Sequence, residues 1–226
     1  MAVAKRRPRH EARKARTDVY RQHIFDAAEQ VFAERGFELA KVQDISAVVG
    51  LSMGTIYAIF ASKEELFRAI LETRGRELLG LARAVVARGE APLATLHALG
   101  DAYIGYLVAH PNFLRMHLRE GTSWVLSPTA GTDSRAELWL DVHRLQAEIF
   151  RRGVATGVFV DERPDYLAKL YSAIDQVVLA DWVARGMKDE QAQLVARLRG
   201  LVERAFCRPG DRVAGRRSAG SRSTAR

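Results

Sequence analysis

The sequence predicts an all-α protein of about nine helices. Apolar residues recur at three- and four-residue spacing through most of the chain, whereas no long stretch alternates with the two-residue period of a strand. Glycine and proline fall between the apolar runs, where helices end or begin. With 48% hydrophobic and 27% charged residues, a chain of 226 residues can bury a sizeable core.

Charge and periodicity divide the chain into four parts. We predict a disordered basic arm at 1–17, a helical head at 18–65, a second helical domain at 66–207 and a disordered basic tail at 208–226. The single cysteine cannot form an internal disulfide, and no apolar run reaches the ~18–20 residues that span a bilayer. These features predict a cytoplasmic protein.

The head begins with a helix that we expect from about Asp18 to Arg35, with Gly36 ending it. The stretch DISAVVGLSMGTIYAIFASKEEL at 44–66 then predicts two short helices around a tight turn. Gly50 stands where the first of these must stop, at a position that favours positive φ.

The second short helix and the long helix after it each have a capping signal. Ser52 can cap the short helix, and Ser62 with Glu65 forms an S-x-x-E capping box for a helix to about Arg88. Helix, glycine-containing turn and helix is the arrangement of DNA-reading helix-turn-helix proteins. The sequence therefore predicts duplex DNA as a partner.

Many spaced positions of the head share the pattern of one known family. They are Arg21, Ile24, Ala27, Ala28, Phe32, Gly36, Phe37, Val42, Asp44, Ile45, Gly50, Ser52, Gly54, Thr55, Tyr57, Phe60, Lys63, Glu64 and Leu66. Through them, residues 18–70 resemble the N-terminal domain of the TetR family of bacterial transcriptional regulators. Ala40 and Lys41 depart from the family pattern, in which Thr or Ser commonly opens the second helix, so that the cap is weaker or made otherwise. Ala58 and Ile59 also replace the Tyr or His often seen before the Phe.

The resemblance implies a dimeric one-component regulator, usually a repressor, which binds a palindromic operator. It also implies a second domain that dimerises and senses a small molecule, whose binding releases the DNA. An apolar effector fits this expectation.

The predicted DNA contacts lie on or beside the second short helix, because a recognition helix reads base edges with its first residues. They are Lys41, Ser52, Met53, Gly54, Thr55, Tyr57 and Lys63. Gly54 permits close approach to the DNA, and Met53 can pack on a thymine methyl group. The resemblance suggests a phosphate contact for Tyr57 and a base or phosphate contact for Thr55.

Two lysines are expected to add charge near backbone amides that suit a phosphate. Lys63 begins the long helix, and Lys41 begins the first short one. Alternatively, Lys63 is a solvated surface residue and Tyr57 a packed aromatic. By contrast, we expect the core of the head to contain Ile45, Val49, Ile56 and Phe60.

The net charge of +8 is concentrated at the two ends of the chain. Residues 1–21 carry +6 and residues 208–226 carry +5, which leaves −3 for the remainder. Residues 22–75 include five basic and eight acidic residues. Attraction to DNA must therefore come from locally placed cations or from the N-terminal arm. The alternative for the arm is a solvated tail without defined contacts.

The second domain carries aromatic and polar residues on otherwise apolar helical faces, a mixture that suits a ligand pocket. The candidates are Tyr103, Tyr106, His117, Trp139, His143, Tyr171 and Asp175. Each could equally belong to an ordinary core or surface. His143 with Asp141, or His117 with Glu120, lacks a third ligand or a nucleophile, so we predict no metal, no cofactor and no catalytic site.

The last two helices are expected at about 164–185 and 188–206, after a loop at 121–135. Both carry wide apolar stripes, which favour a four-helix interface between two subunits; alternatively, both stripes are buried in the core of one chain.

Two other functions stay open at this stage. One is a ligand-independent or architectural DNA-binding protein, and the other is an all-α enzyme that uses its helix-turn-helix for protein contact.

Overall fold

The computed structural model describes residues 6–119 and 134–208, which form nine α-helices. They are α1 Arg6–Leu39, α2 Val42–Val49, α3 Met53–Tyr57, α4 Lys63–Val86, α5 Pro92–Ala109, α6 Pro111–Arg119, α7 Ser134–Ala155, α8 Pro164–Ala184 and α9 Gln191–Phe206. The predicted all-α fold is confirmed. Within the two described ranges, no helix is both long and apolar enough to cross a membrane.

The chain forms two compact units, and their boundary differs from the predicted one. The first unit contains α1 to α3, α4 up to Arg74, and α6; the second contains α4 from Gly75 onward, α5 and α7 to α9. The predicted head at 18–65 omits α6, which packs on α1. Phe113 and Leu114 of α6 are buried, and the Arg119 guanidinium donates to the carbonyl oxygen of Glu34 at 2.8 Å.

Helix α1 begins earlier than predicted, at Arg6 and not near Asp18. Residues 6–17, which were predicted to be disordered, are therefore helical. The segment from 9 to 17 contains no glycine or proline and is rich in alanine, arginine and lysine, which favour a helix. The predicted break at Gly36 is present, with φ 76° and ψ 164° inside the range of α1.

The first unit is built around side chains that the apolar pattern predicts. Ile45, Ile56 and Phe60 are each at most 1% exposed, whereas Val49 is only half-buried. Phe60 stacks on Phe25 with ring centroids 5.4 Å apart. A buried ion pair adds to this packing, because the Arg74 Nε of α4 lies 2.6 Å from a Glu29 carboxylate oxygen of α1.

The core of the second unit lies among α5, α7, α8 and α9. The Phe150 ring contacts the rings of Phe159 and Phe206, with centroids 5.1 and 5.0 Å away. Gly153 is required at this point, because a Cβ there would come within 2.0 Å of the Phe159 ring. Close packing of α7 against the segment before α8 therefore depends on a missing side chain.

Two predicted segments lie largely outside the described residues. Of the predicted loop at 121–135, only the residues that begin α7 are described. Of the predicted tail at 208–226, only Arg208 is described. The Arg208 Nε donates to the carbonyl oxygen of Phe159 at 3.3 Å.

Candidate nucleic-acid interface

The turn between α2 and α3 is formed by Gly50 in the left-handed region, at φ 70° and ψ 21°. Its N–H donates to the carbonyl oxygen of Ser46 at 3.0 Å, which closes the end of α2. The Ser46 hydroxyl in turn donates to the carbonyl oxygen of Leu51 at 2.6 Å. These bonds fix the direction in which the chain enters α3.

Helix α3 is capped by Ser52, as predicted. The Ser52 Oγ accepts the Thr55 N–H at 3.1 Å, and the two hydroxyl oxygens lie 2.9 Å apart. Because each hydroxyl already has a partner in the protein, a nucleic-acid contact by either one is an additional bond to the same oxygen. The predicted DNA roles of Ser52 and Thr55 stay predictions.

The outer surface of α3 is formed by residues that are not buried in the core. Met53 is 39% exposed and Tyr57 is 49% exposed, so that Tyr57 is not the packed aromatic of the alternative interpretation. Gly54 is exposed, and a Cβ built on it would meet only the Ser52 Oγ, at 3.8 Å. Nothing within the described protein therefore demands a glycine at this position.

The N-terminus of α2 is capped by a side chain although the usual Thr or Ser is missing there. The Asp44 carboxylate accepts the Lys41 N–H at 3.0 Å, and it also pairs with Arg35 at 2.9 Å. An acidic residue three positions after the cap is half of a capping box, a signal that the sequence carries but our interpretation missed. The Lys41 side chain itself is exposed beside α2.

The N-terminus of α4 is already occupied by acidic and hydroxyl groups. Ser62 accepts the Glu65 N–H at 3.0 Å, and the Glu65 carboxylate accepts the Ala61 N–H at 2.8 Å, a variant of the predicted capping box. The backbone N–H of Glu64 and the Ser62 hydroxyl lower the pKa of the Glu64 carboxyl. Two carboxylates at this helix end disfavour a phosphate there.

Lys63 has partners within the protein, and its predicted phosphate contact stays a prediction. Its Nζ donates to the carbonyl oxygens of Phe37 and Ala40, at 2.8 and 3.2 Å, and lies 4.2 Å from the centre of the Phe37 ring. Carbonyl groups at the end of a helix carry partial negative charge, so the lysine is attracted to the end of α1. Spacing alone could not reveal this long-range contact.

Arg21 is a further residue whose role the sequence did not indicate. Its guanidinium lies 4.5 Å from the centre of the Phe60 ring and 5.4 Å from that of Phe25. The arginine therefore covers one end of the aromatic pair in the core of the first unit.

The predicted ligand-pocket residues belong to both compact units. His117 lies on α6 in the first unit, where it is 7% exposed and its ring centroid is 5.9 Å from that of Phe113. Burial lowers the pKa of His117 to about 4. These contacts belong to the first unit, because α6 packs on α1, and the predicted part of His117 in a ligand pocket stays a prediction.

The other candidates belong to the second unit, where three of them form one group. Asp175 and Tyr171 are buried on α8, and burial together with the nearby charge of Asp175 raises the pKa of both Tyr103 and Tyr171 well above 10. Tyr106 donates from its hydroxyl to the Glu77 carboxylate.

Trp139 and His143 lie half-buried on α7. Burial lowers the pKa of His143. The nearby charge of Asp165 opposes this effect, whereas that of Lys169 adds to it. Among residues 6–119 and 134–208, no three His, Cys, Asp or Glu side chains form a group that could hold a metal ion.

The all-α fold and the exposed helix α3 together define a helix-turn-helix protein with a second helical unit. Comparison with known proteins identifies its family. The family described as "Bacterial regulatory proteins, tetR family" matches residues 24–70. An HTH-type transcriptional repressor of Streptomyces coelicolor is 32% identical over 161 residues, which cover 70% of this chain and 75% of that protein. The chain belongs to the TetR family, whose members are transcriptional regulators and not enzymes.

Two further comparisons are more restricted. The HTH-type transcriptional repressor KstR2 of Rhodococcus jostii is 39% identical over 79 residues, and the match spans 35% of this chain but only 39% of that protein. The crystal structure of the transcriptional regulator FadR from Bacillus subtilis in complex with stearoyl-CoA has a TM-score of 0.65 at 17% identity. It covers 80% of this chain and 96% of the FadR chain, a likeness that concerns the fold.

Proposed function

We propose that this protein is a DNA-binding transcriptional repressor that reads a palindromic operator with α3. The observation that carries the proposal is the outer surface of α3, where Met53, Gly54 and Tyr57 are exposed and Gly54 has no structural need to be glycine. A missing side chain at the start of a recognition helix allows the backbone to approach base edges closely. The exposed Lys41 beside α2 is suited to a backbone phosphate.

The repressor acts as a two-fold homodimer. One recognition helix reads too few base pairs for genomic specificity, whereas two read half-sites about one helical turn, or roughly 35 Å, apart. Helix α8 supports this arrangement, because no part of residues 6–119 and 134–208 covers one of its faces. Tyr166, Leu170 and Val177 on that face are 44%, 38% and 67% exposed.

A small apolar effector in the second unit weakens operator binding. Helix α4 begins in the first unit and continues into the second, so a ligand that prefers one position of α4 also changes the head. A tenfold loss of operator affinity needs about 1.4 kcal/mol of coupling, and saturating operator must weaken ligand binding by the same factor. The helical N-terminal segment adds affinity that depends little on sequence.

Selection from a pool of random duplexes with the full chain tests this function. We expect enrichment of an inverted repeat whose half-site centres are about one helical turn apart, and retained binding against excess non-specific DNA. Binding that competitor DNA abolishes, with no enriched sequence, would instead favour an architectural protein that acts through its basic segments.

A further inference from the structure

Asp175 is an acidic side chain in the interior of the second unit. It is 5% exposed, and Tyr171, one turn earlier on α8, is 1% exposed. Burial raises the pKa of the Asp175 carboxyl well above its usual range, and a hydrogen bond from the Gln176 N–H opposes this shift. Among residues 6–119 and 134–208, no basic side chain compensates a charge on Asp175. Such a group costs free energy unless a partner reaches it.

Polar groups of α5, α7 and α8 lie in the same unit as this carboxyl, and two of them are influenced by its charge. Tyr103 lies on α5 and Tyr171 on α8, and both phenols have a pKa that the charge of Asp175 raises in addition to burial. The Tyr171 hydroxyl donates to the carbonyl oxygen of Leu96 at 3.2 Å. Three positions before Asp175, the Ser172 hydroxyl donates to the side-chain oxygen of Gln146 on α7 at 3.0 Å.

Tyr103 offers accessible surface in the neighbourhood of this group. It is half-buried, whereas Tyr171 and Asp175 are buried, so part of the Tyr103 side chain is open to a ligand. A few polar groups among mainly apolar neighbours are the usual composition of a small-molecule site.

We propose that Asp175 anchors an organic cation, an apolar amine or quaternary ammonium compound, in the effector site of the second unit. The inference rests on the proposed function, because it names the chemical class of that effector. A cation supplies the counter-charge that the protein does not, and the faces of aromatic rings such as Tyr103 and Tyr171 attract cations. An anionic head group at the same place would gain no counter-charge from Asp175 and would disfavour its ionisation.

Ionisation of Asp175 accompanies binding of the cation. Without ligand, the raised pKa keeps a proton on the carboxyl; with the cation bound, the carboxylate is favoured and the proton passes to solvent. One positive charge enters the site and one proton leaves it.

Isothermal titration of the full chain with three matched probes tests the inference. The probes are 4-phenylbutylamine, 4-phenylbutanol and 4-phenylbutanoate, which share an apolar part and differ in charge. We expect the amine to bind at least tenfold more tightly than the carboxylate, and to release a proton that appears as a dependence of the heat on the ionisation enthalpy of the buffer. The variant Asp175→Asn should lose at least tenfold in amine affinity but keep its affinity for the alcohol.

A matched control and a second variant complete the experiment. Asp165→Asn removes an exposed acid from the same helix and should leave the preference for the amine unchanged. If Asp175→Asn does not fold, Tyr103→Leu removes the aromatic face from a half-buried position and should weaken amine binding. Equal affinities for amine and carboxylate, an unchanged amine preference in Asp175→Asn, or no binding of any probe would overturn the inference.

Operator binding by the same preparation keeps the two proposals separate. A protein that binds a selected operator but shows no preference for the amine refutes the cation site and leaves the repressor intact. A protein that prefers the amine but enriches no operator refutes the repressor and leaves the cation site intact.

Discussion

The ammonium group of Lys63 lies between two carbonyl oxygens near the end of α1, and this position limits what it can offer a phosphate. Two hydrogen bonds and the Phe37 ring hold the ammonium group in place within the first unit. Lys41 has the same charge, but its side chain is exposed beside α2. The two lysines therefore form a natural pair for separating a stabilising role from a DNA-contacting one.

The substitution Lys63→Met should lower the free energy of unfolding by about 1–3 kcal/mol, because charge-assisted hydrogen bonds to two carbonyls are lost. It should not change the slope of operator affinity against salt concentration. Lys41→Met should leave stability unchanged and reduce that slope by roughly one unit, as expected when one phosphate contact is lost. Chemical denaturation and fluorescence anisotropy at several salt concentrations measure both quantities. A slope reduced by Lys63→Met in a fully stable protein would contradict this assignment.

Helix α6 carries a buried histidine that makes the stability of the first unit depend on pH. Burial lowers the pKa of His117 from 6.5 to about 4 in the folded protein. Below pH 6.5 the unfolded chain binds a proton that the folded chain does not, so stability present above pH 6.5 is lost as the pH falls toward 4. The full effect of this shift is about 3 kcal/mol.

The variant His117→Phe should flatten the dependence of unfolding free energy on pH between 6.5 and 4. The exposed His23 provides the control, since His23→Gln should leave the dependence of the wild type in place. Denaturant titrations at half-unit intervals of pH measure the difference. A pH dependence that is the same in His117→Phe and in the wild type would show that His117 is not its cause.

Local signals predicted the elements better than they predicted contacts between elements. The breaks at Gly36 and Gly50 and the cap at Ser52 follow from backbone conformation and nearby hydrogen bonds, which the sequence displays directly. The packing of α6 on α1 could not be read in this way. Its apolar face specifies burial but not the partner, and the contact of Arg119 with Glu34 joins positions 85 residues apart.

The candidate sites show the same limit. Exposure of Met53 and Tyr57 agrees with their position at a turn-helix junction. The use of Lys63 depends on carbonyl groups 26 and 23 residues earlier in the chain, which no helical period indicates. Asp175 is a candidate in the sequence because it interrupts an apolar face. Its influence on the pKa of Tyr103 could not be predicted, because that depends on how α5 and α8 pack.

At the scale of the whole molecule, the proposed dimer uses the exposed apolar face of α8. The substitution Val177→Lys should convert the dimer to a monomer in sedimentation experiments at micromolar concentration, because it places a charge in the apolar interface. Val177 is 67% exposed in the single chain, so the fold and the helical circular dichroism signal should persist. Val19→Lys, at a position of α1 that is 52% exposed, is the control and should stay dimeric. A dimer that persists in Val177→Lys would place the interface elsewhere.

The central claim is that the outer surface of α3 reads operator DNA, and Gly54→Ala tests it most directly. An added Cβ meets nothing closer than the Ser52 Oγ at 3.8 Å, so the variant should fold as well as the wild type. Gly80→Ala is the matched control at an exposed position of α4, where a Cβ would meet nothing within 4 Å. The measurement is the dissociation constant of each variant for the selected operator. We predict that Gly54→Ala weakens operator binding at least tenfold, or about 1.4 kcal/mol, while Gly80→Ala leaves it unchanged. Operator affinity that is equal in Gly54→Ala, Gly80→Ala and the wild type would contradict the claim.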